Sequence, residues 1–192
     1  MPADPPVVSF VDQGAWATWL HDHHGDTPAG VWLQIAKKGS PTASVTYAEA
    51  LDVALRYGWI DGQKKGLDGS AWLQRFTPRR TRSIWSKINC AKAEELIAAG
   101  QMQPAGLVEV ERAKADGRWQ AAYDGQRTAT VPDDLAAALT ADPAAAAYFA
   151  ALDSQNRYAI LHRLMTAKKP ETRARRIAAF VDMLGKGEKL HP

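Results

Sequence analysis

The chain is short of cysteine, of long apolar runs and of net charge, and each shortage removes a class of protein. A single cysteine, Cys90, in 192 residues excludes a disulfide framework and a cysteine-rich zinc site. Nothing approaches the ~20 consecutive apolar residues of a membrane-spanning helix. The opening MPADPPVVSFVDQG has neither the basic nor the apolar region of a secretory signal, so the expectation is a soluble, cytoplasmic protein. Twenty-four Lys+Arg against 21 Asp+Glu leave only +3, too little by itself to indicate nucleic acid. There is no Gly-rich phosphate loop, no Gly-x-Ser-x-Gly elbow and no His-Glu-x-x-His pair, which removes the commonest enzyme signatures. What is there is ordinary globular usage, 46% hydrophobic and 23% charged, enough for one domain or two small ones.

Charge is distributed in blocks. Residues 1–63 carry three basic groups against seven acidic, and residues 64–93 carry eight against one. Residues 94–153 then carry four against ten, and residues 154–192 nine against three. No acid lies between Asp68 and Glu94, a window holding Arg75, Arg79, Arg80, Arg82, Lys87 and Lys92. Such a block is an electrostatic feature even in a nearly neutral chain.

Local signals order the elements. Asp12 suits the N-cap of a first helix that stops by Gly25 and carries Trp16, Trp19 and Leu20 on one face. Val31-Trp32-Leu33-Gln34-Ile35-Ala36 reads as a largely buried strand. Thr46-Tyr-Ala-Glu49 is a capping box, and the helix it opens closes at Gly58. Residues 59–65 and 71–77 read as two strands of a hairpin around a Gly-Leu-Asp-Gly-Ser turn, ended by Pro78. After that the signals are helical only: Asn89 as a cap, then starts at Pro104, Pro132, Asp142-Pro143, Ser154 and Pro170. The expectation is an α+β protein. Residues 1–84 form a small α/β layer with a three-stranded or slightly larger sheet, and residues 85–192 form a helical half, packed together as one compact unit.

The segment WLQRFTPRRTRSIWSKIN carries the most chemistry. Alternation in the strand points Trp72, Gln74 and Phe76 one way, Leu73 and Arg75 the other. The turn after it projects Arg79, Arg80 and Arg82, whose planar forks match phosphate or carboxylate and stack on aromatic faces. Asn89 at a helix start would aim free N–H groups at the same region. The candidate ligand site is therefore Asp61, Lys64, Arg75, Arg79, Arg80, Arg82, Trp85, Lys87 and Asn89. In it Trp85 stacks and Asp61 holds Arg75 by an ion pair. Its partner would be an anionic small molecule or a polyanion, nucleic acid included. The plain alternative is a solvated basic loop, or arginines paired with the chain's own acidic blocks.

Other residues favour structural readings. In His21-Asp22-His23-His24, consecutive helical side chains diverge, so a helix C-terminus explains them better than a metal site. Cys90 reads as a small packed residue and His162 as a core or interface histidine. The last basic block, Arg157, Arg163, Lys168, Lys169, Arg173, Arg175 and Arg176, reads as a solvated helix face behind the stripe Ile177, Phe180, Val181 and Leu184. No catalytic residue, metal ligand or cofactor is assigned.

Several runs resemble a known family. TYAEALDVALRYGWIDGQKK (46–65), QRFTPRR (74–80), WSKIN (85–89), AAGQMQPAGL (98–107) and KKPETRARRIAAFVDML (168–184) look like the YdeI/OmpD-associated, or bacteriocin-protection, proteins. The resemblance implies an N-terminal part related to the YjbR/CyaY-like superfamily, a helical C-terminal part, and a role in envelope stress or protection from antimicrobial peptides. It implies no reaction. The leading expectation is a non-enzymatic stress-protection protein that binds an anion through the basic turn. Two alternatives stand beside it. One is an enzyme on a small phosphorylated or carboxylated substrate with Asp61 as acid/base. The other, suggested by frataxin-like relatives, is weak iron binding by surface acids such as Glu94, Glu95, Glu109 and Glu111.

Overall fold

In the computed structural model, which describes residues 4–192, the chain divides into two compact units. The first runs as far as Trp85 and adds Asn89–Ala121; the second is Ser86–Ile88 with Ala122–Pro192. The fold is α+β, with one four-stranded sheet and eight helices among the described residues.

The first unit is built on β1 (Val7–Ser9), α1 (Gln13–His23), β2 (Val31–Ala36), α2 (Tyr47–Arg56), β3 (Trp59–Gly66) and β4 (Ala71–Pro78). Sheet order is β1-β2-β4-β3, with β1 parallel to β2 and the other pairs antiparallel. The Asp12 carboxylate accepts from Ala15 N at 2.9 Å, and the Thr46–Glu49 box closes in both directions. Both starts follow the local chemistry read above. β1 makes the sheet slightly larger than the three strands located in the sequence: it is only three residues long and is held by a parallel pairing to a strand more than twenty residues away.

β2 is half-buried, not largely buried as its apolar run suggests. Val31, Leu33 and Ile35 face inward, while Trp32, Gln34 and Ala36 alternate to the other side. The same core buries Trp16, Leu20, Leu51, Val53 and Leu55 from the two helices, together with Trp59 and Phe76 from β3 and β4. Full burial of each such side chain contributes about 1.5–3 kcal/mol. Trp16 stacks on Trp19 at 5.4 Å and donates its indole N–H to the Ala50 carbonyl at 3.1 Å, tying α1 to α2.

The β3–β4 pairing contains a shift that decides which lysine goes where. Register steps from Asp61↔Phe76 to Lys64↔Gln74, so three residues of β3 answer two of β4. The extra residue reverses the alternation. It sends Lys64 to the helix side and Lys65 to the outer side. The Gln74 amide fills the bulge, donating to the Gly62 and Gln63 carbonyls at 2.9 and 3.3 Å.

The first unit also takes α3 (Lys87–Ala98) from Asn89 onward and α4 (Pro104–Ala115). α4 packs on α2 through Gly106, where an added Cβ would collide with the Arg56 carbonyl. Helix α3 begins at Lys87, so Asn89 lies inside its first turn and is buried, not a solvent-facing cap.

The second unit holds α5 (Asp133–Thr140), α6 (Pro143–Ala151), α7 (Ser154–Met165) and α8 (Pro170–Gly185). Leu135, Leu139, Phe149, Ile160, Leu164, Phe180 and Leu184 form its core. Asp142 and Asp153 cap α6 and α7. Asn156, 1% exposed, donates to Asp153 at 2.9 Å and accepts from His191 N at 2.8 Å, which fixes the C-terminal tail. The Arg173 fork grips Asp134 at 2.6 and 2.8 Å and donates to the Leu164 carbonyl. Among the described residues no helix is long and apolar enough to cross a membrane.

Candidate functional site

The acid-free window does not project its side chains as one set. Arg79 turns inward: it is 6% exposed, its guanidinium carbon lies 3.4 Å from the Trp85 ring centroid, and Nη1 donates to the Ile84 carbonyl at 3.2 Å. Trp85 is 2% exposed and packs against Trp119 at 4.9 Å. Arg118 donates to the Ser83 carbonyl at 2.7 Å, closing the loop from the other side. A cation over a desolvated indole is worth about 2 kcal/mol. Arg79 and Trp85 therefore build the loop that carries their neighbours.

Those neighbours face water. The Arg80–Ser83 turn is closed by Ser83 N donating to the Arg80 carbonyl at 2.8 Å and Arg80 N donating to Ser83 Oγ at 2.9 Å. Arg80 and Arg82 are exposed, and their guanidinium groups have no partner among the described residues. Lys87 sits in the second unit, 2.9 Å from the Asp124 carboxylate. Asn89 is in the interior of the first unit.

Asp61 and Arg75 do not pair. Asp61 stands opposite Phe76 on the helix side of the sheet, and Arg75 stands opposite Trp32 on the outer side. A β-strand sends neighbouring side chains to opposite faces, so these two carry their charges away from each other. Asp61 accepts instead from the Tyr47 hydroxyl at 2.8 Å. Beside it Lys64 lies 4.4 Å over the Trp72 ring.

The outer face gathers a different set. Trp32 lies between two cations, with Lys65 Nζ 4.2 Å from the ring centroid and the Arg75 guanidinium carbon at 5.6 Å. Arg75 Nη2 donates to the Ala29 carbonyl, while Nη1 is shut from water with no hydrogen-bond partner among the described residues. Burial, then the nearby charge of Arg80, push the Arg75 guanidinium below its ordinary pKa. Among the described residues no carboxylate offsets either effect. Trp32 and Lys65 are absent from the expected set. The alternation of Val31-Trp32-Leu33-Gln34 could have shown Trp32 on this face, but Lys65 depends on the bulge.

The remaining polar residues are engaged internally. Burial pushes the Cys90 thiol up to about 11, the state of a packed residue and not of a nucleophile. His162 stands edge-on to Tyr123 at 4.7 Å, and burial lowers its pKa. In the last basic block Arg157 and Arg176 donate to backbone carbonyls and Arg173 holds Asp134. Arg163, Lys168, Lys169 and Arg175 are solvent-facing. Among the described residues no three His, Cys, Asp or Glu side chains converge as metal ligands.

A small α/β unit with helices on one face of its sheet, and cations around an indole on the other, is joined in sequence to a helical unit. The chain belongs to the family of the domain of unknown function DUF8412, whose model matches residues 8–109. Residues 128–187 match the family described as Bacteriocin-protection, YdeI or OmpD-Associated, so the second unit carries that family's domain. The N-terminal match is to DUF8412 and lends no support to the YjbR/CyaY-like relationship implied by the resemblance. No curated protein and no solved structure matches the chain.

Proposed function

We propose that this YdeI/OmpD-associated protein of uncharacterised function is a non-enzymatic protein that binds an anion on the outer face of its sheet, through Arg75, Arg80 and Lys65 around Trp32. One observation carries the reading: Lys65 Nζ and the Arg75 guanidinium carbon lie 4.2 and 5.6 Å from the Trp32 ring centroid, neither cation is paired with a carboxylate among the described residues, and the charge of Arg80 adds to that of Arg75. An arriving anion offsets these like charges. Arg80 is the basic loop's contribution to this site, with Arg79 and Trp85 as the loop's frame. The bacteriocin-protection description of the second unit's family supports a protective role in the cell.

The enzymatic alternative needs Asp61 to share a hollow with the cations, and Asp61 faces the other side of the sheet. The iron alternative lacks a convergent acidic set among the described residues. Titration of inorganic phosphate and heparin into the protein and into its Arg80→Ala and Arg75→Ala/Arg80→Ala variants tests the proposal. At low salt the double variant should bind at least about tenfold more weakly, since a hydrogen bond to a charged group is worth about 1.5–3 kcal/mol. Arg80→Ala, which touches no packed group, should show part of that loss. Unchanged affinity in both variants contradicts the assignment.

A further inference from the structure

The outer face of the sheet holds a cavity as well as cations, and strand register relates the two. Trp32 and Arg75 stand directly opposite each other; two residues further along the same strands come Gln34 and Leu73, and then Ala36 and Ala71. Each step is about 7 Å on the same face. Lys65 pairs with Leu73, and Ser9 pairs with Gln34, so this middle row spans all four strands. The two alanines at the end of the face leave a hollow that Ser40, Thr42, Ala43, Ser44 and Phe10 enclose, with a volume of about 160 Å³.

The lining of that hollow is polar yet uncharged. Its side chains are hydroxyls, the Gln34 amide and apolar groups, with no ionisable residue among them. Three of the hydroxyls are already used. Ser44 Oγ accepts from Ala36 N and donates to the Val45 carbonyl, Ser70 Oγ donates to Asp68, and Ser40 Oγ accepts from Thr42 N. The Gln34 amide and the hydroxyls of Ser9 and Thr42 have no hydrogen-bond partner among the described residues. They present donors and acceptors of both kinds to whatever enters. At ~30 Å³ per water the space holds about five waters. It is below the roughly 300–1,000 Å³ of a pocket for a drug-sized ligand. The fitting occupant is one small hydroxylated ring.

Resting on the anion-binding reading above, we infer that the ligand is a phosphorylated sugar. Its phosphate lies on Arg75, Arg80 and Lys65 beside Trp32, and its ring hydroxyls reach Gln34, Ser9 and Thr42 in the hollow. The separation of charge and hydroxyl recognition along one face is what selects this class. A free anion would use the cation end alone, and a neutral sugar the hollow alone.

Calorimetric titration of the full chain with ribose 5-phosphate, inorganic phosphate and ribose at low salt tests it. Ribose 5-phosphate should bind at least about tenfold more tightly than inorganic phosphate, and ribose should bind more weakly than either. Gln34→Leu should bring ribose 5-phosphate down to the affinity of inorganic phosphate and leave inorganic phosphate unchanged. Thr42→Val, at an exposed site, should reduce the same preference and serves if Gln34→Leu fails to fold. Equal binding of the two phosphates to the unsubstituted protein overturns this inference and leaves the anion site standing. Binding of neither removes the anion site as well.

Discussion

Arg79 and Arg80 are adjacent, identical in chemistry and opposite in role. Arg79 is buried on Trp85 with a backbone carbonyl at its fork, whereas Arg80 is in water beside Arg75. Arg79→Ala removes the stacked cation and its charge-assisted hydrogen bond, so it should cost about 2–4 kcal/mol in urea unfolding. Arg80→Ala should cost less than about 0.5 kcal/mol, as exposed substitutions do. A reversed order of stability would refute the division between frame and binding residue. Composition made the whole basic window visible in the sequence but could not sort its members, because burial of one arginine and exposure of the next depend on where Trp85 and Trp119 pack. The supposed Asp61–Arg75 pair failed for a more local reason, the parity of two strand positions.

Elements show the opposite balance. Helix starts were legible where a side chain and a nearby N–H settle the matter, as at Asp12, Thr46 and Asp142, and where a proline suits the first turn, as at Pro170. Asn89 misled because α3 starts two residues earlier and carries Asn89 inward. β1 was missed because three residues give too short a pattern, and its pairing is long-range. The bulge in β3 leaves no comparable signal: Gly62 allows it, but the register is set by tertiary packing. Close approach of α4 to α2 is another tertiary feature. At Gly106, where a Cβ would meet the Arg56 carbonyl, Gly106→Ala should destabilise the first unit by about 1–3 kcal/mol. A fall in the chemical-denaturation midpoint with an unchanged slope would be the expected reading, and an unaltered midpoint would argue against this contact.

For the whole molecule, the α+β reading and the family of the second unit held, while the relationship assigned to the first unit gave way to DUF8412. A family resemblance carried by runs of sequence says little about which face of a sheet is free, and the site had to come from register. Acid sensitivity of the second unit follows from its ion pairing. The Arg173 hydrogen bond holds Asp134 below the ordinary aspartate range. That contribution is complete above the unfolded value of about 3.9 and is lost as pH falls through the lower folded value. Asp134→Asn should therefore lose less stability than the natural chain between neutral pH and pH values below about 3.9, measured by urea unfolding. Equal losses would remove the pair from the account.

The central claim is that an anion meets the outer sheet face. It is tested most directly by following backbone amide, indole and arginine side-chain resonances during titration with inorganic phosphate at low salt. The account predicts saturable shifts at the Trp32 indole, Lys65, Arg75 and Arg80, with little change at Arg79 and Trp85. Shifts confined to the solvent-facing cations of residues 163–175, or none at Trp32 and Arg75, would contradict it.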